Sequence, residues 1–320
     1  MEQFSYRSSS GKCDITAYAW FPKTAPKGLV YFAHGIMEYA ERHASFFEML
    51  NNEGYIVVAN DHMGHGNSQH IFPMSFMGRI GVSGWDCACN DAYLCIYNFR
   101  KKFNINKKLP LYGMGFSLGS FIIRTVAIRN PSLFEGLILL GTGNQSLIKT
   151  KIGKIYAEWE CNKYGRPNTT PKVSKLTFGA FNKHFRQNTI ADWFCLNKKS
   201  RNQYLDDDRC GKEMTAGLFY DVLCGIEYTG DFFNIKRMDS DMPILLLSGS
   251  RDPVGDFSKG IKNLHRKFRY AGLNTTCILY NHMRHDLLHE LDAKTIKQDI
   301  VDFLNERVNT KIKKAQMLSI

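Results

Sequence analysis

The sequence predicts a doubly wound, mostly parallel α/β sheet carrying an inserted helical segment, and three observations lead there. Short β-branched or aromatic runs alternate with helical patterns along most of the 320 residues, as in a parallel sheet covered on both faces. The alternation stops after Thr142 and resumes near residue 238, around Lys-, Tyr- and Phe-rich text with few strand candidates. One strand-to-helix junction reads "GMGFSLGS", with Ser117 between Gly115 and Gly119. A structureless loop of roughly ninety residues is implausible in a compact domain. Residues 143–237 are therefore read as a helical cap (lid) inserted into a core formed by 1–142 and 238–320.

Each element is bounded by residues that break regular structure. Phe4 to Ser8 and Asp14 to Phe21 read as an antiparallel hairpin at one edge. Strands follow at Gly28 to Ala33, Tyr55 to Ala59, Leu109 to Met114, Leu133 to Leu140, Pro243 to Ser248 and Thr275 to Tyr280, bounded by Gly, Pro, Asn or Asp. Between them lie helical patterns at Arg42 to Asn52, Trp85 to Lys102, Leu118 to Arg129, Phe257 to Arg269 and Lys294 to Val308. Sheets of this kind place their sites at the carboxyl ends of the strands.

Composition narrows the function classes. With 44% hydrophobic and 22% charged residues the chain is an ordinary globular protein. The net charge of +12 permits attraction to anionic partners, lipid head groups included, without identifying one. Its basic residues are dispersed and no helix-turn-helix, zinc-finger or RNA-binding signature is present, so no nucleic-acid partner is expected. The first residues lack a basic segment followed by an apolar stretch, and no apolar run is long enough to cross a bilayer, which places the protein in the cytoplasm. Nine scattered cysteines, with only Cys87 and Cys89 close together, read as free thiols and supply no metal site.

The serine junction carries the chemistry. A strand that turns abruptly into a helix holds its apical serine at unusual backbone angles, with no room for Cβ atoms on either side. The hydroxyl then projects from the sheet while helix-start amides point at the same spot. The five-residue pattern arises by chance about 0.1 times in a chain this long, but its position between a strand and a helix is the context the motif requires.

A serine needs a base, and the base an orienting acid, in the chain order Ser, acid, His. Asp252 follows the strand in "ILLLSGSRDPVG" and His285 follows the last strand in "CILYNHMRHDLLHE". Asp241 precedes its strand, Asp256 reads as a helix N-cap, His282 is the alternative base, and His289 with Glu290 falls in a short helical pattern. The oxyanion donors expected are the backbone amides of Ile36, after His34-Gly35, and Leu118. His34 reads as a buried brace for this loop, and "NDHMGHGNS" at 60–68 as a loop-bracing network rather than a metal site.

These residues resemble the monoacylglycerol lipase and lysophospholipase group of the α/β-hydrolase superfamily. The motifs "HGIME", "DHMGHGNS", "GFSLGS", "SGSRDPV" and "HMRHDLLHE" occur in that group's order, and the DHxGHGxS form is its most specific mark. The resemblance implies an α/β-hydrolase fold, a triad of Ser117, Asp252 and His285, oxyanion donors Ile36 and Leu118, and a helical cap over an acyl pocket. The cap resembles that of bacterial members more than that of the animal lipase. Two positions depart from the pattern: Tyr39 stands where the group often has His, and "NHMRH" lacks the Gly often found before the catalytic His.

The expected function is a serine hydrolase of carboxylic esters, of monoacylglycerol or lysophospholipid type, acting through an acyl-enzyme without metal or cofactor. Phe178, Phe181, Trp193, Phe194 and Phe219, with Leu218 and Tyr220, suggest an acyl pocket under the cap, or packing of the cap on itself. The rivals are a peptidase of the prolyl iminopeptidase kind, for which Asp206, Asp207 and Asp208 could hold a substrate amine, a small-ester carboxylesterase, and a catalytically silent hydrolase-fold binding protein.

Overall fold

The computed structural model describes residues 1–68, 83–169, 172, 175–186 and 188–317. Its centre is one eight-stranded sheet in the order β1-β2-β4-β3-β5-β6-β7-β8. The strands are β1 (Glu2–Arg7), β2 (Asp14–Trp20), β3 (Gly28–Ala33), β4 (Tyr55–Asn60), β5 (Leu111–Phe116), β6 (Gly136–Leu140), β7 (Ile244–Gly249) and β8 (Thr275–Tyr280). Strand β2 alone runs against the rest, pairing antiparallel with β1, as the expected edge hairpin, and with β4; β3 to β8 are mutually parallel. Residues of β3, β4, β5 and β6 are buried throughout, as befits strands covered on both faces.

The principal helices are α1 (Ala44–Asn52), α2 (Gly84–Lys102), α3 (Leu118–Arg129), α4 (Leu147–Tyr164), α5 (Lys198–Asp206), α6 (Ala216–Gly230), α7 (Lys259–Tyr270) and α8 (Ala293–Met317). One face of the sheet is covered by α1 and α8, with Phe46, Phe47, Ile296 and Ile300 in a single apolar cluster. On the other face α2, α3 and α7 contribute Phe99, Ile122, Val126 and Phe268. No described helix is long and apolar enough to cross a membrane.

Several boundaries differ from expectation for local reasons. The strand read as 109–114 is displaced to 111–116, since Pro110 has no N–H for the ladder. The strand read from Leu133 begins at Gly136, because the Leu133 N–H is spent closing a turn on the Asn130 carbonyl at 3.0 Å. Helix α7 starts at Lys259 rather than Phe257. Asp256, Phe257 and Ser258 take φ of 49°, 51° and 76°, so Asp256 is a turn residue and not the N-cap expected of it.

Between β6 and β7 the chain leaves the sheet for α4, α5 and α6 and the short helices Ala180–Asn182 and Phe232–Ile235. Arg124 of α3, fully buried, ties both ends of this excursion to the core: its guanidinium donates to the Gly143 carbonyl at 3.1 Å and the Thr229 carbonyl at 2.7 Å. No carboxylate among the described residues pairs with it, and burial pushes its pKa down to about 9.

Candidate active site

The β5–α3 junction is the sharp corner the glycines foretold. Ser117 holds φ 51° and ψ −117°, a sparsely populated region that costs about 1–3 kcal/mol. Its N–H donates to the Leu140 carbonyl on β6 at 2.9 Å, and its carbonyl accepts the Ser120 N–H at 2.9 Å. A Cβ on Gly115 would lie 2.4 Å from the Gly119 carbonyl oxygen, and one on Gly119 would lie 2.0 Å from the Ala33 oxygen of β3. The corner is therefore closed by backbone against backbone, which leaves the serine side chain as the group free to project.

Asp252 and His285 arrive from loops after β7 and β8. Both are buried, and His285 Nδ1 lies 2.9 Å from Asp252 Oδ2. The other carboxylate oxygen accepts the Val254 N–H at 2.8 Å, so the aspartate is aimed from both sides. His285 Nε2 is buried and has no hydrogen-bond partner among the described residues. Its ring sits 5.0 Å from that of Phe116, the residue before Ser117, and 5.2 Å from that of Trp193. Gly141, one residue beyond the carbonyl that holds Ser117, would place a Cβ 2.9 Å from His285 Cε1.

The alternatives lie elsewhere. His282 is exposed in a turn at φ 60°, its N–H on Ser250 Oγ. Asp241 is exposed before β7. His289 pairs with Asp286 at 2.9 Å, and Glu290 accepts the Arg284 and Leu196 N–H groups.

Ser117, Ile36 and Leu118 line one cavity of about 200 Å³. As the first residue of α3, Leu118 carries an N–H without an intrahelical acceptor. Phe178, Phe181, Trp193 and Phe219 form much of the remaining wall. Phe194 does not join them: its ring packs 4.4 Å from Tyr204 and borders a second cavity of about 520 Å³, which shares Phe178 and Trp193 as a partition. Of the other two apolar residues singled out, Leu218 is buried in the core cluster, and Tyr220 lies near Lys154 and Arg166. Sequence reasoning missed Val222, Leu223 and Ile226, which continue the α6 wall from Phe219 at the i+3, i+4 and i+7 positions. That period was readable in "LFYDVLCGI". It also missed Gln145 and Lys149 at the start of α4.

Residues 60–68 form the bracing network expected of them. Buried Asp61 accepts the Ala40 and Asn67 N–H groups, both at 2.8 Å, and burial raises its pKa to about 6. Burial lowers His62 to about 3 and His65 to about 4. No cluster of His, Cys, Asp and Glu suited to a metal ion occurs among the described residues.

Because the folded pKa of His65 lies below its unfolded value of about 6.5, the unfolded chain binds the extra proton between these limits. Stability thus falls as pH drops from about 6.5 toward about 4, by about 1.4 kcal/mol per pH unit from this residue. His65→Gln is expected to flatten the acid limb of the stability profile by that slope, measured from urea midpoints between pH 7.5 and 4.5; profiles that run parallel would contradict a neutral, buried His65.

An eight-stranded, mostly parallel sheet with a serine at its strand-to-helix elbow defines an α/β-hydrolase, here a carboxylic ester hydrolase. The chain belongs to the family described as serine aminopeptidase, S33 (Hydrolase_4), whose model matches residues 24–292. Monoglyceride lipase of Mus musculus is 25% identical over 299 residues, covering 90% of this chain and 86% of the mouse protein. A monoglyceride lipase homolog of Monkeypox virus is 27% identical over 297 residues, covering 90% and 93%. In fold the chain is similar to a thermostable carboxyl esterase from Bacillus coagulans, with a TM-score of 0.85 at 20% identity over 96% of this chain and 98% of that one.

Proposed function

We propose that the protein cleaves lipid esters of the monoacylglycerol or lysophospholipid type through a Ser117 acyl-enzyme. The observation that carries this reading is that the strained elbow serine opens into an apolar cavity shared with Ile36 and Leu118. His285, oriented by Asp252, takes the Ser117 proton as Oγ attacks the ester carbonyl; the Ile36 and Leu118 amides hold the oxyanion. Protonated His285 then gives its proton to the leaving alcohol, and water, deprotonated by the same imidazole, releases the acid. Residues 143–237 act as the cap, and the wall from Phe178 to Ile226 takes the acyl chain. The names of the mouse and viral relatives support a monoacylglycerol substrate.

The family's printed description supports a peptidase as the second reading. An aminopeptidase needs a carboxylate beside the nucleophile to hold the substrate amine. Among the described residues lining the Ser117 cavity there is none, and the charged one is Lys149. Asp207 is occupied by the Tyr39 hydroxyl at 2.5 Å and by Arg209.

The anionic membrane surface also has a place to act. On α4, Ile148, Ile152, Ile155 and Trp159 are 72%, 62%, 69% and 49% exposed at helical spacing, between exposed Lys149, Lys151 and Lys163. An apolar stripe bordered by lysines suits an anionic lipid interface. None of the nine cysteines is joined in a disulfide, which fits the reducing cytoplasm.

The test is a p-nitrophenyl ester series from acetate to palmitate, with an amide analogue, and with monoacylglycerol and lysophosphatidylcholine presented in zwitterionic and anionic vesicles. Turnover that peaks at medium or long chains, rises with anionic lipid and loses that rise in Ile155→Glu is expected. Turnover of acetate alone would replace this reading with a small-ester esterase, and turnover of the amide alone with a peptidase.

A further inference from the structure

The DHxGHGxS stretch lies outside the catalytic set, yet its His62 is locked to His34 beside the expected oxyanion donor. Resting on the esterase reading above, we propose that His34 and His62 are positioning residues that set the direction of the Ile36 N–H.

The hydrogen bonds settle the tautomers. His34 Nε2 lies 2.9 Å from the His62 backbone nitrogen, so it accepts that N–H and carries no proton. A neutral ring then has its proton on Nδ1, which lies 2.7 Å from the Gly35 carbonyl oxygen and donates to it. Complete burial holds His34 well below the ordinary histidine range, in keeping with a neutral ring. In return, His62 Nε2 donates to the His34 carbonyl at 3.1 Å, and the two rings are 4.0 Å apart.

The Gly35 carbonyl and the Ile36 N–H belong to one planar peptide. Holding the carbonyl from one side therefore aims the N–H to the other. The preceding peptide is held likewise: His62 grips the His34 carbonyl, and the Gly35 N–H donates to Glu38 Oε1 at 2.6 Å. Three successive polar groups of this loop are thus spent, on His62, Glu38 and the His34 ring, and the next N–H belongs to Ile36, which lines the Ser117 cavity. The same loop is pressed on the elbow, since a Cβ on Gly119 would stand 2.7 Å from the His34 oxygen. An oxyanion donor stabilises the transition state only when it is aimed at the developing charge, so a peptide free to tilt costs kcat and not substrate affinity.

The test compares His34→Phe, which keeps ring volume and removes the donor, with His34→Asn, whose amide nitrogen can occupy the Nδ1 position. His62→Phe and His62→Gln form the matching pair. Rates with p-nitrophenyl butyrate are expressed per Ser117 titrated to completion by a fluorophosphonate, so unfolded protein is not counted. His34→Phe is expected to lower kcat per titrated site about 10–100-fold with KM changed less than about twofold, and to weaken a trifluoromethyl ketone inhibitor in parallel. His34→Asn and His62→Gln should recover most of the loss. A low titre with wild-type kcat per site would overturn the inference and leave the pair as packing. Should His34→Phe yield no titratable protein, His62→Phe against His62→Gln decides in the same way. Wild-type turnover that survives Ser117→Ala would instead overturn the esterase reading, and this inference with it.

Discussion

Replacing Ser117 by Ala is expected to lower kcat for a p-nitrophenyl ester by about 10⁴–10⁶-fold while the protein stays folded. Removing the nucleophile of such a unit costs about as much as removing all its members, because the remaining groups have nothing to activate. The fold should tolerate the change because the elbow is held by backbone: the Ser117 N–H on Leu140 and its carbonyl under Ser120, neither involving Oγ. Its φ of 51° is strained for Ala as for Ser. Ser117→Gly relieves that strain and should raise stability by about 1 kcal/mol or more, so of the two inactive variants Ser117→Ala is expected close to the wild-type urea midpoint and Ser117→Gly above it. Full activity in Ser117→Ala would remove the serine from the mechanism.

Gly119→Ala is the substitution expected to damage the fold most. Its Cβ would sit 2.0 Å from the Ala33 oxygen, 2.4 Å from the Ala33 carbon and 2.7 Å from the His34 oxygen, all backbone atoms of β3 and the loop after it. No rotamer change relieves such a contact; α3 and β3 must move apart, opening the sheet next to the elbow. A loss of about 3 kcal/mol or more is expected, read as a lowered urea midpoint and a fall in fluorophosphonate-titratable serine. Gly179→Ala is the control, because the nearest atom to its Cβ is Lys175 Cγ at 3.6 Å, an ordinary contact; its stability should stay within about 0.5 kcal/mol of wild type. Equal midpoints for the two variants would show that the elbow is not packed as described.

Both predictions concern residues that were legible before any coordinates. Gly115, Ser117 and Gly119 are separated by two positions each, so the strain of the corner and its remedy are written in adjacent letters. Asp252 and His285 follow strands that end in Gly249 and Tyr280, and a parallel sheet puts such ends on one edge. Less could be read where burial was ambiguous. Phe194 has the same apolar character as Trp193 beside it, yet Trp193 lines the Ser117 cavity as well as the second one, while Phe194 packs on Tyr204 and lines the second cavity without the first. Asp256 looked like a cap because Asp favours that position, but three successive positive φ values before α7 made it part of a turn.

By itself, then, the sequence determined the alternating α/β fold, the serine elbow, and the strands that Asp252 and His285 follow. These depend on local sterics and on a periodicity of a few residues, which a single chain displays directly. Only the tertiary structure decided which side chains of the excursion wall the cavity, and that Arg124 ties both ends of it to the core. It alone decided, too, that His34 and His62 interlock beside Ile36. Those contacts join residues far apart in the chain, and their partners are chosen by sheet register and close packing, which no local pattern encodes.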